Sequence, residues 1–425
     1  MCRCHTYSCH GEPILVGGEI SLELPYSSPE RQEHCPKGVR LQAKATGVQN
    51  FFILLLLLST LMVVFVIAEG YTATRPVQDM VQYWAAARLV TQNPYSLRLV
   101  WPLEKSVGAQ IGVNDPTFVN RNPPWALLFF LPLRWLSFRA AYASWTVFSL
   151  LVVAGCARVL WRLYTPKPSL VPAFLSLSFG PTICLLSVGQ STILVLLGIT
   201  VFLWAVQQKR DWIAGSSLLL VSVKPHIALI FLLAVGLWAA YEKCWAVFIG
   251  GVSAVVTSTL VILIISPNIL AQYLYFMSKF AQVGSPYPNL GGLISTATRV
   301  HALAFLPEVL GIVWLGVYWW QRRTTWSWTT NGLVVLLVTV ACSYYSFAYD
   351  EVILLPAVLA AAAHGNRRIL FIFFGLINAG YIFFLSGTAA KLGITYMFLW
   401  WTASAWLLTY LLSQWQASVP VEVRL

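Results

Sequence analysis

Charge is what this chain has least of. Lys, Arg, Asp and Glu together make up 10% of its 425 residues, and 58% are apolar, against roughly a quarter charged in an average soluble domain. That balance excludes a water-soluble fold. Nucleotide fingerprints are missing too: neither a P-loop nor a dinucleotide-binding glycine pattern can be found. No half of the chain repeats the other. Residues 1–50 hold no secretory h-region, so the apolar run from Phe51 is expected to remain as a first membrane helix. The 27 basic residues outnumber the 15 acidic ones for a net charge of +12. They are scattered singly between apolar runs, unlike a nucleic-acid-binding patch, and read as topology determinants.

The eight cysteines fall into two groups. Cys156, Cys184, Cys244 and Cys342 lie in or beside apolar segments and read as small hydrophobes. Cys2, Cys4, Cys9 and Cys35 stand near His5, His10 and His34. Zinc binding is one reading of that tract, but the spacing matches no finger pattern. The other is a tail without fixed structure, and residues 1–49 are taken as such a cytoplasmic tail.

Twelve apolar runs follow, at about 50–68, 140–160, 169–186, 191–207, 212–223, 226–241, 245–265, 303–320, 329–345, 351–364, 369–386 and 394–413. A span needs ~20 residues because the hydrocarbon is about 30 Å thick. Several runs are shorter, notably 212–223 and 351–364, which predicts broken helices or helices that stop below the surface. The expected fold is all-α, about twelve transmembrane helices over residues 50–413, with a first outer loop at 69–139 and a cytoplasmic tail at 414–425.

The distribution of basic residues tests this plan, since Lys and Arg gather in cytoplasmic connections. If the N-terminal tail is inside, so are Arg158, Arg162 and Lys167; Lys209 and Arg210; Lys243; Arg322 and Arg323; Arg367 and Arg368; and Arg424. Sixteen of the 27 basic residues then lie inside, and seven of the other eleven fall in the loop at 69–139. With sides so assigned, the unusual polar residues collect outside. Ionisable groups at the edges of apolar helices are costly there and point to a site.

The first outer loop is long enough to be functional. Within it, Gln78–Val90 reads as an amphipathic helix on the membrane surface, with Asp79, Gln82 and Tyr83 on one side and Met80, Trp84, Ala87 and Val90 toward the other. Asn93-Pro94-Tyr95 stops it, and Asn122-Pro123-Pro124-Trp125 opens a second apolar piece broken at Pro132. Asp79 is open to two readings: a base that takes a proton from a hydroxyl, or an acid that complements a helix dipole. Lys224-Pro225-His226 interrupts an apolar stretch; Lys224 either meets a phosphate or snorkels at a tight turn. Asp350 and Glu351 are adjacent and so would not face each other on a helix. The loop carrying Asn289, Gly291, Gly292, Arg299 and His301 offers Arg299 as a second phosphate candidate. Trp319-Trp320 and Trp400-Trp401 read as interfacial belts.

In this order the segments resemble the glycosyltransferase family 87 group of membrane mannosyltransferases, within the GT-C superfamily. The carriers are D-x-x-x-Y-W-x-A-A-R-L ending in N-P-Y (Asp79 to Tyr95), N-P-P-W-A-L-L-F-F-L-P-L, V-G-Q-S-T-I-L and V-K-P-H. The chain departs from the pattern before a late helix, where relatives often show S-W-x-H and this sequence reads S-F-A-Y-D-E. The resemblance implies transfer of a hexose, often mannose, from a polyprenyl-phosphate sugar to a lipid-linked or glycan acceptor, at the non-cytoplasmic face of the plasma membrane and with inversion. It implies Asp79 as general base, Lys224 and Arg299 on the donor phosphate, and Gln190 and His226 lining the sugar or acceptor pocket. Tyr83, Arg88, Asn289 and Asp350 complete the candidate substrate-binding set. Neither metal nor cofactor is expected, and the partners are donor, acceptor and membrane lipid, without nucleic acid. The rival reading is a twelve-span secondary transporter, which would bind near the bilayer midplane between repeated halves.

Overall fold

The computed structural model describes residues 79–109, 119–280 and 287–418. The N-terminal Cys/His tract, the run at 50–68 and the last residues of the C-terminal tail lie outside the described residues. Among those described, the chain is helical throughout, without strands.

The first outer segment contributes α1 (Met80–Arg88) and α2 (Leu97–Ser106), then two 3-10 turns, Pro124–Phe129 and Leu131–Trp135, with the expected break at Pro132. The bundle follows as α3 (Phe138–Tyr164), α4 (Val171–Ser178), α5 (Gly180–Val188), α6 (Thr192–Gln207), α7 (Asp211–Val221), α8 (Leu229–Tyr241) and α9 (Trp245–Ile265). It continues with α10 (Ile269–Phe280), α11 (Leu290–Thr298), α12 (Leu306–Arg322), α13 (Asn331–Cys342), α14 (Leu355–His364), α15 (Arg367–Leu385), α16 (Thr388–Lys391) and α17 (Thr402–Ser418). Every apolar run from residue 140 onward is therefore helical.

Four stretches have the length and composition to cross a membrane: α3, α9, residues 301–325 around α12, and α15; α4 and α5 make a fifth if the bent pair is one span. The 27 residues of α3 correspond to about 40 Å. The exposed face of α9 is mostly apolar, with Phe248, Ile249, Val252, Val256, Leu260 and Ile264 outward beside Ser253 and Thr257, as expected of a lipid-facing helix. The twelve full spans expected from the sequence do not appear as such. The runs α6, α7, α13 and α14 are only 16, 11, 12 and 10 residues long. Each begins or ends at a polar turn: Gln190-Ser191, Lys224-Pro225, or the segment from Ser343 to Asp350.

The bend between α4 and α5 is 55° and has a visible cause. Pro181 cannot donate to the preceding turn, so the helix breaks at Phe179-Gly180, and Asn378 of α15 takes up the freed backbone groups. Its Oδ1 accepts from Gly180 N at 2.8 Å and its Nδ2 donates to Ser178 O at 3.0 Å. A side chain at Gly180 would meet the Tyr381 ring at 2.5 Å, so the position admits only glycine without movement.

Small residues set the tightest helix contacts, as in membrane bundles generally. Gly198 of α6 lies against Ser217 and Leu220 of α7, and Gly250 and Gly251 of α9 against the α7 backbone around Trp212 to Leu218. Beneath them, Phe202, Phe231 and Trp238 close on Trp328 at ring-centroid distances of 4.8, 5.5 and 5.5 Å.

The surface placement expected for α1 is not what is observed. Met80, Val81, Tyr83, Trp84, Ala85, Ala86 and Ala87 are all buried, under α2 and the 3-10 turn Leu131–Trp135. Three consecutive alanines leave room for neighbours on every side, and Trp84 Nε1 donates to Leu136 O at 3.0 Å. The helix is part of the protein interior.

Candidate functional site

Polar side chains from four parts of the chain meet where α1, α6 and the Asp350–Leu354 turn come together. Asp79 occupies the position before α1, yet its side chain makes no capping hydrogen bond to that helix. Its Oδ2 instead accepts from Gln190 Nε2 at 2.5 Å, and Tyr349 is near enough to act on the same carboxylate. Asp79 itself is half-buried. Tyr83, one turn along α1, donates to Gln190 Oε1 at 2.6 Å. With Oε1 filled by that donor, the Gln190 amide must present its N–H to Asp79, so the carboxylate is held as an acceptor.

Gln190 can reach α1 because of the residue before it. Gly189 ends α5 with φ +70°, a left-handed conformation that other residues adopt at a cost. A Cβ there would lie 2.8 Å from that of Met80, so this turn and α1 are in direct contact.

The network extends through Ser191, whose Oγ donates to Tyr83 Oη at 3.1 Å and accepts from Asn122 Nδ2 at 3.2 Å. The Asn122 carbonyl accepts from the Tyr95 hydroxyl at 3.2 Å, and Trp125 Nε1 donates to Ser222 Oγ at 3.0 Å. The segment from Asn120 to Trp125 thus ties the N-P-Y turn, the start of α6 and the end of α7 together. This explains what those motif residues do for one another.

Asp350 is fully buried and saturated. Its Oδ1 accepts from Lys224 Nζ at 2.8 Å and Thr192 Oγ1 at 2.5 Å, and its Oδ2 from Phe347 N at 3.0 Å. Lys224 also stands 4.9 Å from the Tyr349 ring, which places that tyrosine beside the Lys224–Asp350 pair. Glu351 points elsewhere: its oxygens accept from the Tyr381 hydroxyl at 2.7 Å and Thr402 Oγ1 at 2.6 Å. The two adjacent acids serve different networks.

Burial is the main influence on Asp79 and pushes its carboxyl above the usual carboxylate range. The Gln190 hydrogen bond and the Lys224 charge pull the other way, and Asp350 adds to the rise. Tyr83 is likewise pushed above its ordinary range, first by burial and then by Asp79.

Of the residues singled out in the sequence, Asp79, Tyr83, Gln190, Lys224 and Asp350 are brought together. His226 is nearby, its ring edge-on to Tyr345 at 4.8 Å, with Nε2 buried and lacking a hydrogen-bond partner. The remaining three make no hydrogen bond to this group. Asn289 caps α11, its Oδ1 accepting from Gly292 N at 2.8 Å, and its Nδ2 donates to Ser346 Oγ at 3.4 Å in the segment that leads to Asp350. Arg88 is exposed at the far end of α1, donating to Leu136 O at 3.0 Å and lying over Trp84. Arg299 is exposed in a left-handed turn after α11, without a hydrogen bond or ion pair among the described residues. The sequence reading missed Tyr349, Thr192, Ser191 and Asn122. Their signal was adjacency to Asp350, Gln190 and the N-P-P-W segment. Among the described residues no group of three or more His, Cys, Asp or Glu gathers as for a metal.

The site also lies at one end of the bundle. α6 leaves it and ends at Lys209-Arg210, α7 returns to Lys224, and α8 leaves again toward Lys243. Arg323 stacks 6.0 Å from Tyr241 at the end of α8, and Tyr164 of α3 meets His364 at the end of α14. The basic turns therefore share the end opposite the carboxylates.

The family model for glycosyltransferase family 87 matches residues 120–343, more than half of the chain. That segment holds Asn122, Gln190, Lys224 and His226, whereas Asp79 precedes it and Asp350 follows it. No curated protein and no solved structure matches the chain. Apolar helices of spanning length, a polar cluster at one end of them and the matched segment agree, and the chain belongs to glycosyltransferase family 87, a family of membrane glycosyltransferases.

Proposed function

We propose that this protein transfers a hexose, with mannose the favoured sugar, from a polyprenyl-phosphate donor to a hydroxyl of a lipid-linked or glycan acceptor. Asp79 acts as general base, and the anomeric carbon inverts. The protein is a multi-pass plasma-membrane enzyme of GT-C type, with its active site on the non-cytoplasmic side. The location of the basic turns at the end opposite Asp79 supports that sidedness, because Lys and Arg favour the cytoplasmic face.

The observation that carries the reading is the condition of Asp79. Its carboxylate does not cap its own helix, is oriented by Gln190, and is half-buried. A base in this setting takes the proton from the acceptor hydroxyl as that oxygen bonds to the anomeric carbon. The bond from the anomeric carbon to the phosphate oxygen breaks, and its electron pair leaves with the polyprenyl phosphate. Attack from the side opposite the leaving group inverts the centre. Gln190 keeps the receiving carboxylate in place, which is orientation supplied before the reaction begins. Lys224 holds Asp350 and keeps a positive charge near the base.

The test is sugar transfer by purified protein in lipid, with polyprenyl-phosphate mannose and a panel of lipid-linked and glycan acceptors. Asp79→Asn should lower the rate by about 10²–10⁴-fold, the usual contribution of a positioned base, while donor binding persists. Transfer at the wild-type rate in that variant would remove Asp79 from the mechanism. Solute accumulation by reconstituted vesicles, without transfer from any polyprenyl donor, would favour a transporter instead.

A further inference from the structure

Glu351 is a buried carboxyl that takes no part in the transfer step, and its surroundings differ from those of its neighbour. Asp350 has the Lys224 ammonium at 2.8 Å. Glu351, also buried, meets hydroxyls instead: Tyr381 of α15 lies 2.7 Å from Oε2 and Thr402 of α17 lies 2.6 Å from Oε1. No cation among the described residues makes an ion pair with it. The Tyr381 ring is itself fixed against Gly180 at the bend between α4 and α5.

The hydrogens in this row of oxygens can be counted. Thr402 Oγ1 is also 2.7 Å from Leu399 O. The three contacts, Tyr381 to Glu351, Glu351 to Thr402 and Thr402 to Leu399, fall at separations that belong to direct O–H···O bonds, and each needs a hydrogen. Tyr381 and Thr402 bring one each, and the carbonyl brings none. With Glu351 ionised the row is one hydrogen short, and Thr402 must face either the carboxylate or the carbonyl with a bare oxygen. A proton on Glu351 Oε1 completes the row: Tyr381 donates to Oε2, Oε1–H to Thr402 Oγ1, and Thr402 to Leu399 O. The Glu351–Thr402 contact then runs from the acid to the alcohol.

The neighbouring titratable groups do not offset a charge on Glu351. Asp350 precedes it in the same turn and already holds Lys224. α15 presents Tyr381, and α5 the buried thiol of Cys184. α6 and α17 bring the hydroxyls of Thr192 and Thr402, the first engaged by Asp350. α13 and α14 carry only Cys342 and His364, at their last positions. Ionised, Glu351 would place a second carboxylate beside Asp350 where burial already disfavours charge.

We propose that Glu351 holds a proton in the working enzyme and is a positioning residue for the Asp350–Leu354 turn, so that losing this proton in alkali displaces Asp350 from Lys224 and Thr192 and shuts off transfer. The effect on rate rests on the glycosyl-transfer reading above; the proton itself does not.

The experiment uses the full-length protein in lipid nanodiscs. Wild-type transfer should fall at alkaline pH, by about tenfold per pH unit beyond the midpoint. Glu351→Gln can accept from Tyr381 through its amide oxygen and donate to Thr402 through its N–H, as the protonated acid does. It should keep the neutral-pH rate within about threefold of wild type and lose the alkaline fall. The infrared difference spectrum at neutral pH, wild type minus Glu351→Gln, should show the carbonyl stretch of a protonated carboxylic acid. If Glu351→Gln does not fold, Tyr381→Phe replaces it: loss of a donor that favours the ionised form should move the alkaline fall to higher pH. An alkaline fall absent from wild type, retained by Glu351→Gln or unmoved in Tyr381→Phe overturns the switch while the transfer reading stands. Carboxylate bands in place of the acid band overturn the proton on Glu351. The acid band without transfer from any polyprenyl donor overturns the transfer reading and leaves that proton established.

Discussion

Lys224 and Asp350 offer a direct test of the site's construction. Both side chains are buried, 7% and 1% exposed respectively, at 2.8 Å, and Asp350 receives two further hydrogen bonds from Thr192 and Phe347 N. Lys224→Met removes the cation and leaves a buried carboxylate with two neutral donors. Breaking a buried pair on one side costs about 3–5 kcal/mol, because the remaining charge is uncompensated. Asp350→Asn alone leaves the ammonium facing an amide and should cost a similar amount. The double variant leaves no unpaired charge, and replacing both members of a buried pair is often nearly neutral. The double should therefore lose far less than the two singles combined, with a coupling of at least about 2 kcal/mol. Reversible unfolding in mixed micelles, followed by tryptophan fluorescence from the Trp-rich bundle, measures it. Additive losses would show that the two side chains do not depend on each other, and the assignment of Lys224 to Asp350 would fall.

The remaining predictions concern the base and the turns that hold it. Transfer requires ionised Asp79, and burial raises that carboxyl, so the rate should rise with pH through a midpoint above the ordinary value of about 3.9. Gln190→Leu removes a hydrogen bond that favours the ionised form, so the pH–rate profile should move to higher pH; an unmoved profile would mean that Gln190 does not touch the base. Gly189→Ala places a methyl 2.8 Å from Met80 Cβ at φ +70° and should cost about 1–3 kcal/mol, with a fall in transfer rate as α1 is displaced. Asn378→Leu strands the Gly180 N–H and Ser178 carbonyl at the bend, at about 1–3 kcal/mol for each group; thermal melting of the variant in detergent reads the loss.

What the sequence revealed follows from the cost of polarity among apolar helices. Gln190, Lys224 and Asp350 are legible because each interrupts or ends an apolar run, where an ionisable or amide group needs a partner. They prove to be partnered with one another or with Asp79. Thr192, Ser191 and Tyr349 were not legible, since hydroxyl-bearing residues are ordinary in membrane helices and loops. Their role depends on which distant carboxylate faces them, and that is a property of packing. Arg299 and Asn289 show the converse. A cation in a loop and an Asn before a Gly pair look reactive in one dimension, yet the first stands in solvent and the second caps a helix.

The same logic explains why twelve apolar runs do not become twelve full spans. Hydropathy identifies each run, but it does not say where a helix must stop to let a polar group meet its partner. α6 starts at Thr192, whose hydroxyl is on Asp350; α7 stops at Val221, three residues before Lys224; and α13 stops at Cys342, so that the chain can extend through Ser343–Tyr349 and place Phe347 N on the other oxygen of Asp350. A helix continued through any of these points would carry its polar side chain past the others. The short helices and the buried polar network are one requirement seen twice. The network needs three chain ends at one depth, and helices of 10–16 residues supply them. Lengthening α7 by one turn before Ser222 should therefore abolish transfer without unfolding the helix, because about 5.4 Å of added rise separates Lys224 from Asp350 by more than any rotamer can recover. Retained activity in that insertion variant, measured with the same donor and acceptors, would show that the depth of these helix ends does not govern the site.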